Sequence, residues 1–281
     1  MKWRWLLMLV LLASNFFVWI IVWQSQPIDI LQVSFLDVGQ GDAILITAPN
    51  RNQVLIDGGP NKKVIRALGQ VMPFFDRSID LIIATHPDLD HIGGLPDTLD
   101  RFEVSAYLAP MAESKTAAYK TLQTKVITEG AQTVVAEKGM RVILAKDTTL
   151  EIFSAGTAGV ESNAASVVAK LTYGDIDFLL TGDAPLALEE KLAYQVGSGL
   201  QAEILKVGHH GAKSSSGETF LQKVSPQFAV ISAGTENRYG HPHVETIARL
   251  KEVGAEILQT KDLGTIVFET DGQSLNYEIL P

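Results

Sequence analysis

The six histidines of this 281-residue chain lie in three short segments, and each segment directly follows a predicted β-strand. Loops at strand ends are where proteins most often carry binding and catalytic side chains. The chain contains no cysteine, so neither a disulfide framework nor a thiolate metal ligand is possible. A transition-metal site must therefore use His, Asp, Glu or Asn, and we expect the fold to bring these strand ends to one cavity.

An apolar run, Trp5–Trp23, follows Lys2 and Arg4 near the N-terminus. As a helix with a rise of 1.5 Å per residue it is about 30 Å long, which matches the hydrocarbon core of a bilayer. Positive charges precede the run, and the first charge after it is Asp29. The positive-inside bias therefore predicts a cytoplasmic N-terminus, with the rest of the chain outside the membrane.

This prediction divides the chain into a cytoplasmic start with a transmembrane anchor, residues 1–28, and an extracytoplasmic domain, residues 29–281. A cleaved signal peptide is the alternative, but its apolar region is usually shorter and ends at a small-x-small site. The residues that follow here, 24–27, form a weak cleavage site. We therefore favour a single-pass anchor in the cell membrane.

Beyond the apolar run, strands come first and then alternate with helices, and this scheme occurs twice. Strands are predicted at residues 31–38, 43–47, 53–56, 81–85, 133–135, 141–144, 150–153, 166–173, 177–180, 204–207, 228–231, 256–258, 265–270 and 274–279. Helices are predicted at residues 62–72, 115–128, 186–195, 218–224 and 244–253. The order indicates two sheets packed face to face with helices outside, in a single domain.

The first histidine segment carries four metal-capable side chains within six residues, namely His86, Asp88, Asp90 and His91. Without a cation the carboxylates would repel one another. In a loop, the pairs His86/Asp88 and Asp90/His91 are each able to serve one of two ions a few ångströms apart. The alternative is an acidic surface loop with a helix-capping aspartate, and the glycines that follow argue against it.

Asp183 follows an apolar strand and Gly182, and its two carboxylate oxygens are able to bridge two ions. A helix N-cap ahead of Pro185 is an equally good explanation of this residue alone. In the next segment His209 is the better ligand candidate, whereas His210 faces either the substrate or solvent.

The last segment carries two histidines after a strand and a turn. His241 is a candidate to protonate a leaving group or to bind an anion. His243 is expected to cap the helix that begins there.

Together these segments resemble the metallo-β-lactamase superfamily, whose metal loop His-x-His-x-Asp-His corresponds to His86-x-Asp88-x-Asp90-His91. Within the superfamily the chain is most similar to the C-terminal extracytoplasmic domain of ComEC-type competence proteins. That likeness rests on residues 35–43, 56–59, 86–94, 180–183, 206–211 and 239–242. It implies an α/β fold, the four-layer αββα sandwich, preceded here by one transmembrane helix.

The resemblance and the residue types together imply a site for two divalent ions. One ion would be held by His86, Asp88 and Asp183, with Asn163 as a candidate further ligand, and the other by Asp90, His91, His209 and Asp183. Asn163 would offer a carbonyl oxygen, although an ordinary loop asparagine explains it equally well. Carboxylate and amide oxygens in place of imidazole favour Mn²⁺, with Zn²⁺ as the alternative.

Three further residues are expected beside these ligands. Asp57, after a strand and before two glycines, is a candidate to orient a ligand histidine, although an ordinary turn aspartate is possible. Asp37 and Gln40 are expected to help shape the cavity.

Two ions held in this way activate a water molecule and stabilise developing oxyanions, with Asp90, His210 and His241 as catalytic candidates. The preferred substrate is a phosphodiester, namely DNA, because the resemblance points to a nuclease of DNA uptake. The alternatives are a hydrolase of another ester, lactone or β-lactam, and a metal-bound accessory module without catalysis.

The formal net charge of −9 weighs against general nucleic-acid binding, because phosphate contacts need Lys and Arg. ComEC-type proteins carry many membrane helices ahead of this domain, whereas one is found here, so we do not expect this chain to form a DNA channel. The expected partners are therefore DNA, the membrane and other components of an uptake machinery.

Overall fold

The structure is a computed structural model that describes residues 2–24 and 29–280. Residues 25–27 of the weak cleavage site at residues 24–27 lie outside the described residues. The helices are α1 (Lys2–Gln24), α2 (Lys63–Val71), α3 (Leu89–Ile92), α4 (Leu95–Leu99), α5 (Ala117–Glu129), α6 (Leu186–Val196), α7 (Glu218–Val224), α8 (Val244–Glu252) and α9 (Thr260–Leu263). Short 3₁₀ turns lie at Asn163–Ala165, Gly197–Leu200 and Gly208–Gly211.

Strands alternate with these helices along the described chain. They are β1 (Leu31–Phe35), β2 (Ile44–Thr47), β3 (Gln53–Ile56), β4 (Ser78–Ile83), β5 (Glu103–Ala109), β6 (Gln132–Val135), β7 (Arg141–Ala145), β8 (Thr148–Ser154), β9 (Val168–Tyr173), β10 (Ile176–Leu180), β11 (Ile204–Lys206), β12 (Phe228–Ile231), β13 (Glu256–Gln259), β14 (Thr265–Thr270) and β15 (Leu275–Leu280).

The strands form two mixed sheets with the same internal plan. The first sheet has the order β15-β14-β1-β2-β3-β4-β5-β6, and the second has the order β13-β12-β11-β10-β9-β8-β7. In the first, β1, β2 and β3 pair antiparallel and β3 to β6 pair parallel. In the second, β7 to β10 pair antiparallel and β10 to β13 pair parallel. This duplication accounts for the two similar halves of the sequence pattern.

Three apolar clusters show how the layers stack. The largest joins the inner faces of both sheets, and its rings of Phe35, Phe178 and Phe228 surround Phe268 with centroids 5.5–6.0 Å apart. Burying one such ring contributes about 1.5–3 kcal/mol. A second cluster packs helices α2, α4 and α5 on the first sheet, and a third packs α6, α7 and α8 on the second. The predicted four-layer αββα sandwich is therefore confirmed.

Helix α1 carries the apolar run and has a different environment. Its segment Trp3–Val22 is long and apolar enough to cross a membrane, and no part of it is buried against the described residues. The N-terminal helix expected from the sequence is therefore present as a candidate membrane span. The side chain of Trp23 lies outside the described part of the chain.

Most predicted elements are present, and the differences have local causes. The first strand ends at Phe35 rather than Val38, because residues 36–42 leave the sheet in a loop toward the metal segment. Strand β5 was not predicted, and it lies between β4 and β6 in the first sheet. Its sequence, Glu-Val-Ser-Ala-Tyr-Leu-Ala, alternates only weakly in polarity, so the period of two that marks a strand is hard to recognise.

Candidate metal centre

The polar segments follow strands whose carboxyl ends meet at one edge of the sandwich. His86 and His91 come after β4, Asp183 after β10, and the two neighbouring histidines 209 and 210 after β11. Gly182 adopts a positive φ of 52°, which turns the chain so that Asp183 enters the cavity between the sheets. The expected convergence of these segments is therefore present in the structure.

Asp183 is at the centre of this cluster and is 3% exposed. Its Oδ1 lies 3.3 Å from His91 Nε2. Its Oδ2 lies 3.9 Å from His86 Nε2, 3.7 Å from His209 Nε2 and 3.5 Å from His210 Nε2. One carboxylate thus faces four imidazoles, which is the arrangement that a bridging ligand needs.

Asp88 extends the cluster on the side of His86. Its Oδ2 lies 3.6 Å from His86 Nε2, and its Oδ1 accepts a hydrogen bond of 2.6 Å from Ser162 Oγ. The side chain of Asp88 is 45% exposed, so this flank of the cluster opens to solvent.

His210, rather than His209, completes the group on the opposite side. Ligand atoms of Asp90, His91 and His210 all lie within 4.8 Å of one another, and His210 Nε2 is 3.3 Å from Asp90 Oδ2. From the sequence, His209 was expected beside Asp90 and His91. The structure instead puts the buried His210 in that position, and it leaves His209 nearer to Asn163, whose Nδ2 is 3.4 Å from His209 Nδ1.

The backbone explains why both neighbours reach the cluster. His209 and His210 have positive φ angles of 48° and 54°. Successive side chains of an extended strand point to opposite faces, but this left-handed bend turns both rings inward. The choice between two adjacent histidines therefore does not follow from strand alternation.

Asp57 fixes the orientation of His91. Its Oδ2 is 2.7 Å from His91 Nδ1 and accepts a 2.6 Å bond from Thr85 Oγ1, while its Oδ1 accepts a 2.8 Å bond from Thr85 N. Because the Thr85 hydroxyl donates to Asp57, its oxygen is free to accept from His86 Nδ1 at 3.0 Å. Asp57 thus contacts His91 directly and His86 through the Thr85 hydroxyl, which are the contacts that an orienting residue needs.

Two residues that sequence reasoning missed lie beneath the cluster. Asp42 Oδ1 is 3.3 Å from His210 Nδ1, which also lies 2.9 Å from the backbone oxygen of Ser232. The other oxygen of Asp42 forms an ion pair with Lys206, a lysine with no exposed surface. Gly41 lets the loop that carries Asp42 lie against the Asp90 backbone, because a Cβ at Gly41 would lie 2.1 Å from the backbone oxygen of Asp90. The sequence feature that points to this pair is Lys206, a charged residue inside the otherwise apolar strand β11.

The unpaired atoms of this centre test whether its residues suit a metal. Nε2 of His86, His91 and His210 and Oδ1 of Asp183 are buried and have no hydrogen-bond partner among the described residues. Buried polar atoms are normally paired, and a site for a bound ion is one of the standard reasons for an exception. Each of these imidazoles has its Nδ1 held by another group, so Nε2 is free to ligate. The residues therefore fit divalent cations.

The charges of the centre also shift its protonation. Burial opposes the charged form of His91, but Asp183 and Asp57 raise its pKa well above the ordinary value. Burial likewise opposes protonation of His210, and Asp183 and Asp42 nevertheless raise its pKa to about 9. His86 differs, because burial and the neighbouring His91 lower its pKa to about 4. Protons thus bind strongly at two positions where a cation would compete with them.

His241 lies beside the cluster and is 7% exposed. Its ring centroid is 5.5 Å from that of His209, and its backbone is held by Asn237, whose amide accepts from His241 N and donates to His241 O. Burial and the nearby His210 lower the pKa of His241 to about 4. His243 occupies the N-cap position of α8, but its Nδ1 accepts from Lys213 N and makes no capping bond.

The structure separates two residues that were expected to shape the cavity. Gln40 lines a cleft of about 500 Å³ beside Asp88 and Asp90. Asp37 does not face this cleft. It is exposed, accepts a bond from Gly39 N, and lines a separate depression of about 210 Å³ with Lys63, because the chain turns away from the metal side at this point.

The sequence model of the metallo-beta-lactamase superfamily matches residues 36–235. The chain belongs to this superfamily. The matched region contains both sheets' ligand segments up to β12, and members of the superfamily are usually metal-dependent hydrolases. The fold and its His/Asp clusters are suited to divalent metals.

Two curated competence proteins are similar to nearly the whole chain. ComE operon protein 3 of Bacillus subtilis (strain 168) is 32% identical over 269 residues, covering 89% of this chain and 34% of the relative. Competence protein ComA of Neisseria gonorrhoeae is 27% identical over 249 residues, covering 87% of this chain and 33% of the relative. The chain spans about a third of the length of these relatives.

A solved structure supports the fold independently of close sequence similarity. The metallo-beta-lactamase fold protein YhfI from Bacillus subtilis superposes with a TM-score of 0.57, at 11% identity, covering 83% of this chain and 98% of that protein.

Proposed function

We propose that this protein is a two-metal phosphodiesterase that cleaves DNA at a membrane surface. The observation that carries the proposal is the set of three buried imidazoles, His86, His91 and His210, whose bare Nε2 atoms converge on the carboxylate of Asp183. The similarity of this chain to proteins named for competence supports DNA as the substrate class.

The ligand assignment follows from the distances given above. One ion would be held by His86, Asp88, Asp183 and His209, with Asn163 beside it, and the other by Asp90, His91, Asp183 and His210. When bound, these cations supply Lewis-acid polarisation of the phosphoryl group and lower the pKa of an attacking water. The mixture of carboxylates and imidazoles accommodates Mn²⁺ and Zn²⁺, and the exposed oxygen donor at Asp88 makes Mn²⁺ our preference.

The residues around the ligands have supporting roles in this proposal. Asp57 and the Ser232 carbonyl hold the imidazoles of His91 and His210 in the tautomer that presents Nε2 to the cations. His241, whose ring stacks on the cleft residue Tyr239, would contact a phosphate oxygen or the leaving group.

Helix α1 supports the membrane part of the proposal. We infer that it anchors the chain by a single span, with residues 29–281 on the outer side, because Lys2 and Arg4 precede the span. Protease added to intact spheroplasts should degrade the domain, whereas a domain that is protected until lysis would reverse the orientation.

The function is tested with the purified full chain in detergent. We expect Mn²⁺-dependent cleavage of DNA, with RNA, a lactone and a β-lactam as parallel substrates. Asp183→Ala should abolish both metal binding and turnover, whereas Tyr194→Ala, at a side chain 93% exposed, is the matched control and should change neither. Turnover of lactone or β-lactam alone would establish another ester hydrolase. Two bound metals without hydrolysis of any substrate would establish an accessory module.

A further inference from the structure

The cleft beside the metal cluster contains groups that the ligand assignment leaves unused. It has a volume of about 500 Å³ and is lined by Asp88 and Asp90 on the metal side and by Arg238 and Tyr239 on the far side. That volume suits one small organic ligand rather than a base pair with its two backbones. The ligand assignment therefore gives no role to Arg238 and Tyr239 on the far side.

Tyr239 presents an aromatic ring at the edge of this cleft. The ring is 51% exposed and stacks on His241, with centroids 5.6 Å apart and an interplanar angle of 23°. Asn237 fixes the loop by bonds to the backbone of His241 and to the Gly234 oxygen. A large aromatic side chain is thus held firmly beside the cluster and still offers surface to a ligand.

Arg238 lies over the same ring, with its guanidinium carbon 5.2 Å from the ring centroid and its Nη2 bonded to the Tyr239 hydroxyl at 3.2 Å. Among the described residues that line the cleft, it carries the sole positive charge. An exposed cation–π contact is weak, so an incoming planar group is able to take the place over the ring while the guanidinium turns to an anion.

Further groups complete a site of mixed polarity. Gln40 holds its position by accepting a 3.2 Å bond from Gly234 N, and its Nε2 is buried without a partner among the described residues. Leu89, 59% exposed, and Pro60 add apolar surface to the same cleft. A stacking ring, an apolar wall and one cation are groups that bind a nucleotide, and Glu236 adds a third carboxylate to the lining beside Asp88 and Asp90.

We propose that this cleft is a nucleotide subsite in which Tyr239 stacks the base next to the scissile phosphate and Arg238 binds the following phosphate. The inference rests on the proposed phosphodiesterase function and assigns the part of the substrate beside the cluster. Since a stacked base must leave its partner strand, the subsite selects single-stranded or frayed DNA ends over paired DNA.

The test compares esters that share a leaving group and differ in the nucleoside. The 3′- and 5′-p-nitrophenyl phosphates of thymidine contain a base, whereas methyl p-nitrophenyl phosphate does not. With the full chain and Mn²⁺, Tyr239→Ala should lower kcat/KM about tenfold for one thymidine isomer, mainly through KM, and leave the methyl ester unchanged. Tyr239→Phe should retain the wild-type value, and Tyr194→Ala is the control for an exposed tyrosine far from the cleft.

A second readout does not depend on catalysis. A single-stranded oligonucleotide that carries 2-aminopurine should lose fluorescence on binding the wild-type chain in Ca²⁺, and Tyr239→Ala should remove that quenching. Arg238→Gln should weaken oligonucleotide binding and reduce its salt dependence by about one phosphate contact, whereas Arg141→Gln should not.

The outcomes separate this inference from the function on which it rests. Equal losses on the thymidine and methyl esters would overturn the subsite, because Tyr239 would then act only through His241. Quenching that requires Tyr239, in a chain that hydrolyses no diester, would support the subsite and refute the phosphodiesterase. Hydrolysis of DNA with no effect of a Tyr239 substitution in either assay would support the phosphodiesterase and refute the subsite.

Discussion

Lys206 and Asp42 form an ion pair that is completely enclosed beneath the metal-binding cluster. Lys206 also donates to the backbone oxygen of Gly182 at 3.4 Å, directly before the central Asp183. Asp42 in turn contacts His210 Nδ1. The pair thus links the loop after β1 to both ligand loops of the second sheet, and a buried cation balances part of the negative charge of the cluster.

Breaking this pair should destabilise the fold far more than breaking a surface pair. Asp42→Ala leaves a buried ammonium group without a counter-charge, which costs about 3–5 kcal/mol of unfolding free energy. The double variant Asp42→Asn/Lys206→Met should recover most of that loss. It should still bind metal about 10–100-fold more weakly, because His210 loses a charged partner.

Urea unfolding and metal titration measure the two effects separately. Glu151→Gln, which breaks the exposed pair with Arg141, is the control and should change stability by less than about 1 kcal/mol. Full metal affinity in the double variant would show that the pair acts on folding alone.

Glu189 should make stability depend on pH in a defined direction. It is fully buried and accepts bonds from Ser216 N and Gly217 N, with Arg249 and Glu190 as the charged groups that act on it. Burial raises its pKa from 4.5 to about 7, although the two backbone bonds and Arg249 oppose the shift. Because the folded state favours the neutral acid, its contribution is complete below pH 4.5 and is lost as the pH rises through about 7.

The matched variant is Glu189→Gln, which cannot ionise. The stability of the wild type relative to this variant should fall by up to about 3 kcal/mol between pH 4.5 and pH 8. Urea unfolding at several pH values measures the difference. Parallel pH profiles for the two proteins would mean that the pKa of Glu189 is the same in the folded and unfolded chains.

His241 should affect chemistry without affecting metal content. His241→Ala should lower kcat on DNA by roughly 10²–10⁴-fold if the imidazole protonates the leaving oxygen. The loss should be smaller for a nitrophenyl diester, whose leaving group needs no proton. Equal losses on both substrates would instead assign His241 to binding the phosphate as a neutral N–H donor, because its lowered pKa leaves the imidazole uncharged at neutral pH.

Metal preference should follow the exposed ligand Asp88. The wild type should be activated more by Mn²⁺ than by Zn²⁺, and Asp88→His should shift the preference toward Zn²⁺, since an imidazole replaces an oxygen donor. Activation profiles of both proteins with each metal test this. An enzyme that is fully active with zinc and unresponsive to manganese before the substitution would refute the preference.

Much of the fold follows from continuous apolar runs bounded by turn residues. Strands Gln53–Ile56 and Phe228–Ile231 and helix Glu218–Val224 are predicted to the residue, because Gly, Pro, Asn or Ser marks their ends. The first ligand segment is also recognisable in the sequence, because four metal-capable residues within six positions have little structural purpose.

The parts that could not be predicted depend on neighbours distant in sequence. A lysine in a short strand is expected to reach solvent. Lys206 does not, because β11 lies between β10 and β12 and both of its faces are covered. Its partner Asp42 is brought to it only by tertiary packing. Likewise, Asp37 and Gln40 are three positions apart in one loop, yet they face different depressions.

The central claim is that Asp183 is shared by two cations whose joint occupancy is needed to cleave DNA. The most direct measurement is a Mn²⁺ titration of the full chain in which bound metal and DNA cleavage are recorded on the same samples. We predict two ions per chain at saturation, cleavage that rises with occupancy of the second ion, and loss of both ions in Asp183→Ala. Saturation at one ion with full cleavage, or unchanged metal binding by Asp183→Ala, would contradict the shared centre.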